Sequence, residues 1–468
     1  MERNETGFFE RAKQTGDAIL SMRSPLVVHH YDADGLASGA IIAFCLKKAL
    51  VPFRMKVAKR FDETTIEELK EEREIVFSDI GSGQMQLVNQ LNAEVAVIDH
   101  HPSPGQPKEN VLMCNPHDFG LDGTTELCSS STAYFCFRHL EYKEVTQLGI
   151  VGAVGDLQDY PKTGFIGLNR KMLEEGEGKK HVFVSKDLRM FGRVTRPLIQ
   201  FLTYSTEPFL PGLSANEKAC ASFLNKNGIP LKKNGDWISY YGLNALQRKK
   251  LASLLIEYGK SKGLPEEVLE NLVGDAYLFL QEPEKSELRD ALEFSTLLNA
   301  CGRREKAELG VRVCLREEGA LEEAKKILAE HRKEIRFGLA YAKKQFMDLG
   351  VFYFIDARGE VPDTVIGIVA GVFFNSGLVE RNKPVLAFSF DEEGKTKISG
   401  RASRALVEKG LDLGEVMRKG GEAAGGLGGG HTIAAGCTIP TTREAEDLFL
   451  KKAKEVIQVQ LQIQGKRG

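Results

Sequence analysis

The stretch PLVVHHYDADGLASGA, residues 25–40, runs four apolar positions into two histidines and two aspartates. A short apolar run bounded by polar residues reads as a buried strand, here 25–30, and the apolar residues of 36–49 follow at helical spacing. The same alternation continues downstream. PFRMKVA at 52–58 is strand-like, and a helix over 65–73 is opened by the capping box Thr64-x-x-Glu67. EIVFSD at 74–79 is followed by a short helix after GSGQ, then EVAVIDHH at 94–101, VLMC at 111–114, and helical stretches at 130–140 and 146–155. Short apolar strands alternating with helices favour a doubly wound parallel α/β sheet.

At 468 residues the chain exceeds one ordinary core, and length alone gives roughly two to four domains. Hydrophobic residues make up 42%, charged residues 27% and the net charge is −2. No window reaches about eighteen uninterrupted apolar residues, so a membrane-spanning reading fails. The N-terminal MERNETGFFERAKQTGD lacks the apolar core of a secretory signal, which makes a cytoplasmic location the expectation. The eight cysteines are scattered, never spaced as CxxC, and sit mostly in apolar surroundings, so buried thiols are expected rather than disulfides or zinc ligands. The near-neutral charge means that any polyanion has to be held by local groups.

From about 165 to 300 the alternation weakens into mainly helical segments such as ALQRKKLASLLIEYGK, with the lone Trp237 among them. This is read as an inserted, partner-facing or capping region. Over 319–347, Leu321, Ala324, Ile327, Leu328, Ile335, Leu339 and Ala342 recur at helical spacing, which predicts one long helix bridging two domains. After Gly350 a second α/β pattern begins: VFYFID, the helix TVIGIVAGVFF, the strands VLAFSF and KTKISG, the tract GGLGGGH and a final helix from about 442. The expected division is therefore 1–200, an insertion at 201–300, a connecting helix at 301–348 and a smaller α/β domain at 349–468.

Four of the nine histidines form two pairs, His29-His30 and His100-His101, each closing an apolar run beside aspartates. A third run ends in Ser78-Asp79, and GIVGAVGD ends in Asp156. In an open parallel sheet ligands gather beyond the carboxyl ends of the strands, where these residues are expected to emerge together. A single aspartate after a strand is more often a helix cap, and a single histidine pair is more often structural. The joint pattern is harder to obtain by chance. Crowded carboxylates repel and raise one another's pKa unless a cation neutralises them, and mixed carboxylate and imidazole donors suit manganese, magnesium or zinc. Two such ions can share a carboxylate, acidify a water and clamp a phosphoryl oxygen, which is machinery for phosphoester hydrolysis.

The blocks His30-Tyr31-Asp32-Ala33-Asp34-Gly35, Ser78-Asp79, Asp99-His100-His101 and Gly155-Asp156 resemble, in order, the four motifs of the DHH phosphoesterase family. The resemblance implies one metal held by His30, Asp32 and Asp79 and a second held by Asp34, Asp79, His100 and Asp156, with Asp79 bridging. It further implies that Asp99 orients His100 and that His101 faces the phosphate, the two being assigned to catalysis. Two divalent ions are implied, manganese first and magnesium second.

The glycine tract GGLGGGHTIAAG at 425–436 could be a flexible linker, yet it lies between regular segments of a compact domain. Glycines let backbone amides approach an anion, and Arg401 and His431 could add donors. Together these segments resemble the DHH-associated domain, which implies substrate contacts from Arg401, Gly429, Gly430 and His431. The insertion resembles that of archaeal RecJ-like nucleases, including the GINS-associated branch. The leading expectation is thus a metal-dependent, single-strand-specific exonuclease of DNA or RNA that releases mononucleotides in replication or repair, with GINS-like partners and no membrane. The alternatives are a phosphodiesterase of small substrates (nanoRNA, cyclic dinucleotides or pyrophosphate) and a replicative-helicase scaffold.

Overall fold

The computed structural model describes residues 2–160 and 164–462, which divide into two compact units. The first comprises residues 2–201, 230–252 and 270–328, and the second 202–229, 253–269 and 329–462. The stretch 201–300 is thus shared between them.

The first unit is built on five parallel strands, β1 (Leu26–His29), β2 (Arg54–Val57), β3 (Glu74–Ser78), β4 (Glu94–Ile98) and β5 (Val111–Cys114), in the order β2-β1-β3-β4-β5. Its helices include α1 (Glu5–Ser21), α2 (Ala33–Lys48), α3 (Glu63–Leu69), α4 (Met85–Val88), α5 (Ser129–Phe137) and α6 (Lys143–Gly155). Side chains alternate across a strand, and the register uses that period. Val27, Val76 and Ala96 lie side by side and join the core formed with α1, α2, α5 and α6. Val28, Phe77, Val97 and Met113 face the other way, onto Ile66, Leu69, Met85 and Val88 of α3 and α4. Both sheet faces are therefore covered, which is why the strands read as continuous apolar runs. Each fully buried Val or Phe contributes about 1.5–3 kcal/mol.

Helix starts differ from the sequence reading where an aspartate competes for the cap. α2 begins at Ala33 because the Asp32 carboxylate accepts from the Gly35 N–H. α3 begins at Glu63, since Asp62 accepts from the Thr65 N–H at 3.1 Å, so the expected Thr64–Glu67 capping box is not the device used. The middle of the chain is mostly helical, but it also forms an antiparallel pair, Phe183–Leu188 with Val273–Leu278, and a hairpin, Lys232–Lys233 with Asp236–Trp237. The long helix runs Ala320–Gln345. All eight cysteines are buried and unpaired. No helix among the described residues is long and apolar enough to cross a membrane.

The second unit carries a six-stranded sheet in the order Met347–Asp348, Tyr353–Asp356, Val385–Phe390, Thr396–Arg401, Ala434–Ile439, Leu427–Gly430. Only the pairing of Tyr353–Asp356 with Val385–Phe390 is parallel. Its helices include Glu217–Lys226, Asp363–Asn375, Leu413–Ala423 and Arg443–Gln460. The glycine tract is no linker, because Leu427–Gly430 is the edge strand of this sheet, paired with Ala434–Ile439.

Candidate metal centre

The chain leaves β1 for β2 at one edge of the sheet and returns to β3 on the other side of β1, so the carboxyl ends of β1 and β3 flank a topological switch point. Each ladder continues into its polar residues. His30 N donates to Ser78 O, Asp79 N to Ile98 O and Asp99 N to Cys114 O, at 3.3, 2.9 and 3.3 Å. Backbone hydrogen bonding thus anchors the acids and imidazoles on adjacent strands.

Asp79 is 3% exposed and lies between two histidines. Its Oδ2 is 3.4 Å from His30 Nδ1, and its Oδ1 is 3.4 Å from His100 Nε2. One carboxylate oxygen therefore faces each imidazole. Asp32 Oδ2 lies 3.1 Å from His30 Nδ1, and ligand atoms of His30, Asp32 and Asp79 all fall within 4.8 Å of one another, as do those of Asp79, Asp99, His100 and His101. Asp34 and Asp156 stand outside these two groups. Asp34 Oδ2 is 4.0 Å from His100 Nε2, whereas Asp156 Oδ2 is 4.0 Å from the other ring nitrogen, Nδ1. Asp156 also arrives from a helix, as the C-cap of α6, and not from a strand end. Asp79 adopts φ +60°, a left-handed conformation that few side chains other than Asn and Asp tolerate and that costs on the order of 1 kcal/mol.

Several residues that the motifs do not contain hold this arrangement. Both oxygens of Asp34 accept backbone N–H groups from the start of α5, Oδ2 from Ser129 at 2.8 Å and Oδ1 from Ser130 at 2.9 Å. The Ser129 hydroxyl donates to Asp79 Oδ1 at 2.9 Å. The Gln158 amide donates to Gly123 O and to Asp156 Oδ2, and Asn169 in turn donates to Gln158 Oε1. The only cue in the sequence is the hydroxyl run Ser129-Ser130-Ser131-Thr132 opening an apolar helix. Gln158 and Gly123 carry none.

The expected pairing of Asp99 with the His100 ring is corrected. Asp99 Oδ1 accepts from the His101 ring Nδ1 at 2.8 Å and from the backbone N–H groups of His100 and His101. Its Oδ2 accepts from Ser82 N–H. The His100 ring instead donates from Nδ1 to Gly123 O at 2.6 Å, which leaves Nε2 as the nitrogen presented to Asp79. His29 stays apart. Its buried ring donates from Nδ1 to His30 O, and burial pushes its pKa down to about 4, as suits a neutral core histidine.

The charges are strongly coupled. Burial alone would raise the Asp79 carboxyl, but hydrogen bonds from His100 and His30 outweigh it and hold the group well below the usual carboxylate range. Burial opposes protonation of His30, yet Asp32 and Asp79 lift it to about 11. His100 is raised well above its ordinary value in the same way, chiefly by Asp79. Burial, then the Asp79 charge, pushes Asp34 up to about 6, and burial, then Asp34, pushes Asp156 up to about 8. Both imidazoles are pushed toward protonation and both outlying carboxyls toward neutrality, the directions expected of a centre short of cationic charge. A buried donor set of carboxylates and imidazoles in this condition fits hard-to-borderline divalent ions.

Comparison with known proteins agrees with this reading of the fold. Residues 25–152 match the N-terminal domain of the DHH family, 190–273 the DHH-CID domain and 350–459 the DHHA1 domain. The chain is 31% identical over 444 residues to an uncharacterized protein of Methanocaldococcus jannaschii, covering 93% of each. The chain belongs to the DHH family.

Its fold is RecJ-like. A manganese-bound exonuclease RecJ superposes with a TM-score of 0.57 at 16% identity, over 97% of this chain and 94% of the other. CDC45 from Entamoeba histolytica superposes with a TM-score of 0.62 at 15% identity, over 98% and 100%. In the DHHA1 portion, Arg401 ends its strand opposite Ala434, while Gly430 pairs with Ala435 and the N–H of His431 donates to Ala434 O. Arg401, Gly429, Gly430 and His431 thus gather at one end of neighbouring strands. A Cβ at Gly367 would come 2.8 Å from Arg401 Nη2, so glycine there makes room for the guanidinium.

Proposed function

We propose that this DHH protein is a metal-dependent exonuclease that hydrolyses phosphodiester bonds of single-stranded DNA, and of RNA, to release mononucleotides. The observation that carries the reading is Asp79, which turns one oxygen toward His30 and the other toward His100. His30, Asp32 and Asp79 would hold one divalent ion, and Asp34, Asp79, His100 and Asp156 a second, manganese or magnesium. When bound, such ions supply Lewis acidity toward the phosphoryl group and a water acidic enough to attack at neutral pH.

The chain's own residues do the rest. Asp99 fixes the His101 ring through Nδ1 and raises its pKa, so that His101, with 53% of its side chain exposed, can donate from Nε2 to a phosphate oxygen. The His100 ring is held by Gly123, and Gln158 holds both Gly123 and Asp156. Arg401, His431 and the amides around Gly429 and Gly430 are proposed to bind phosphates of the strand. The segment matching the DHH-CID domain is proposed to contact GINS-like replication proteins.

The reading is tested on 5′- and 3′-end-labelled DNA and RNA single strands with manganese, magnesium or EDTA, for wild type and Asp79→Asn. Stepwise shortening that needs a divalent ion and is lost in Asp79→Asn is expected. Hydrolysis of dinucleotides or cyclic dinucleotides with intact polymers would move the assignment to small substrates. No hydrolysis under any condition would overturn it.

A further inference from the structure

We infer that Ser129 is a positioning residue for the metal centre, aligning Asp79 and Asp34 through two different atoms. The inference rests on the reading of these carboxylates as metal ligands. Ser129 is fully buried at the first position of α5. Its N–H donates to Asp34 Oδ2 at 2.8 Å and its hydroxyl to Asp79 Oδ1 at 2.9 Å. Among the described residues, Ser129 is the one outside the proposed ligand set with hydrogen bonds to both carboxylates.

The neighbouring hydroxyls show that this use is particular to Ser129. Ser130 Oγ donates to Gly149 O, on α6. Ser131 Oγ accepts from the Cys128 N–H, closing the capping box of α5, and Thr132 Oγ1 donates back to Cys128 O. None of the three is bonded to Asp79. Of the four hydroxyls, the one on Ser129 is the donor to Asp79, whereas Ser130 lies beside Asp34.

The consequence is rotational. The terminal torsion of a carboxylate has a broad profile, so without a further partner its plane can tilt away from the two imidazoles it faces. The hydrogen bond from Ser129 to the oxygen 3.4 Å from His100 Nε2 holds the carboxylate plane at the angle that turns one oxygen to each imidazole. Outer partners of this kind orient ligands before an ion arrives, and their loss costs about 10- to 100-fold in metal affinity.

The test is manganese binding, followed by the loss of the free-ion electron paramagnetic resonance signal, in wild type, Ser129→Ala, Ser129→Thr and Ser130→Ala. Unfolding in EDTA is measured in parallel. Ser129→Ala keeps the backbone donor to Asp34 and removes only the donor to Asp79. About a tenfold or greater weakening of manganese binding is expected there, with unfolding little changed, while Ser129→Thr, which retains a hydroxyl, binds better than Ser129→Ala. Wild-type affinity in Ser129→Ala would overturn the inference alone, as would an equal loss in Ser130→Ala, which would mark a general packing effect. Absence of manganese uptake by the wild type would instead remove the metal reading, and this inference with it.

Discussion

Gly152 lies inside α6, where replacing glycine by alanine ordinarily stabilises a helix by about 1 kcal/mol. Here the structure reverses the sign. A Cβ at Gly152 would stand 2.0 Å from Ser130 Oγ, 2.5 Å from Ser130 Cβ and 2.7 Å from Asp34 Oδ1. Neither neighbour can yield freely. Ser130 Oγ is bonded to Gly149 O, and the Asp34 carboxylate is held by two N–H groups of α5. Relief therefore requires α6 to shift away from α5, or Asp34 to leave its place. Overpacking of this kind costs about 1–3 kcal/mol, which against the helix gain leaves Gly152→Ala less stable by about 0–2 kcal/mol. A displacement near 1 Å at Asp34 would further reduce catalysis by about 100-fold. Urea unfolding followed by circular dichroism reads the first quantity, and manganese affinity and strand hydrolysis read the second. Gly178→Ala is the control, since a Cβ there, at the last residue of the helix Gly167–Gly178, meets nothing within 4 Å and carries no packing cost. A Gly152→Ala protein stabilised as much as Gly178→Ala, with unchanged manganese affinity, would refute the packing argument.

Two further outcomes follow from the same geometry. In the metal-free centre His30 is lifted to about 11, His100 is raised in the same direction and Asp156, with a pKa of about 8, is mostly protonated at pH 7, so loading with manganese is expected to release protons, about one fewer at pH 9 than at pH 7 as Asp156 ionises. Calorimetry in buffers of different ionisation enthalpy counts them; apparent affinity should rise with pH, and binding without proton release would contradict the proton placement. Away from the centre, Leu50 ends α2 at φ +58° while 90% exposed, a position where glycine is normal. Leu50→Gly is expected to stabilise the protein by about 0.5–1 kcal/mol in urea, and a loss of stability would show that the left-handed turn is not strained.

What could be read from the sequence was what strand ends determine locally. His30, Asp79 and His100 follow apolar runs whose parallel pairing brings the carboxyl ends together, so their convergence follows from the fold class. The partner of Asp99 could not be read, because two adjacent histidines leave a strand end in different directions and only the Gly123 carbonyl decides which ring turns inward. Gln158 and Gly152 were invisible, and Ser129 showed only as one of a run of hydroxyls, for a related reason. They act through single contacts made by a helix start, a loop and a close helix crossing, none of which imposes a period. The glycine tract was ambiguous because glycine has no intrinsic strand preference, and its pairing is supplied by Ala434–Ile439. Asp32 shows the two readings coinciding, since it caps α2 with one oxygen and faces His30 with the other.

The most direct test of the account is anomalous scattering at the manganese edge from crystals of the protein grown with manganese. The account predicts two peaks flanking the Asp79 carboxylate, one beside His30 and Asp32 and one beside His100 and Asp34, both absent in Asp79→Asn. Crystals fully loaded with manganese that show no peak at Asp79, or peaks unchanged in Asp79→Asn, would contradict it.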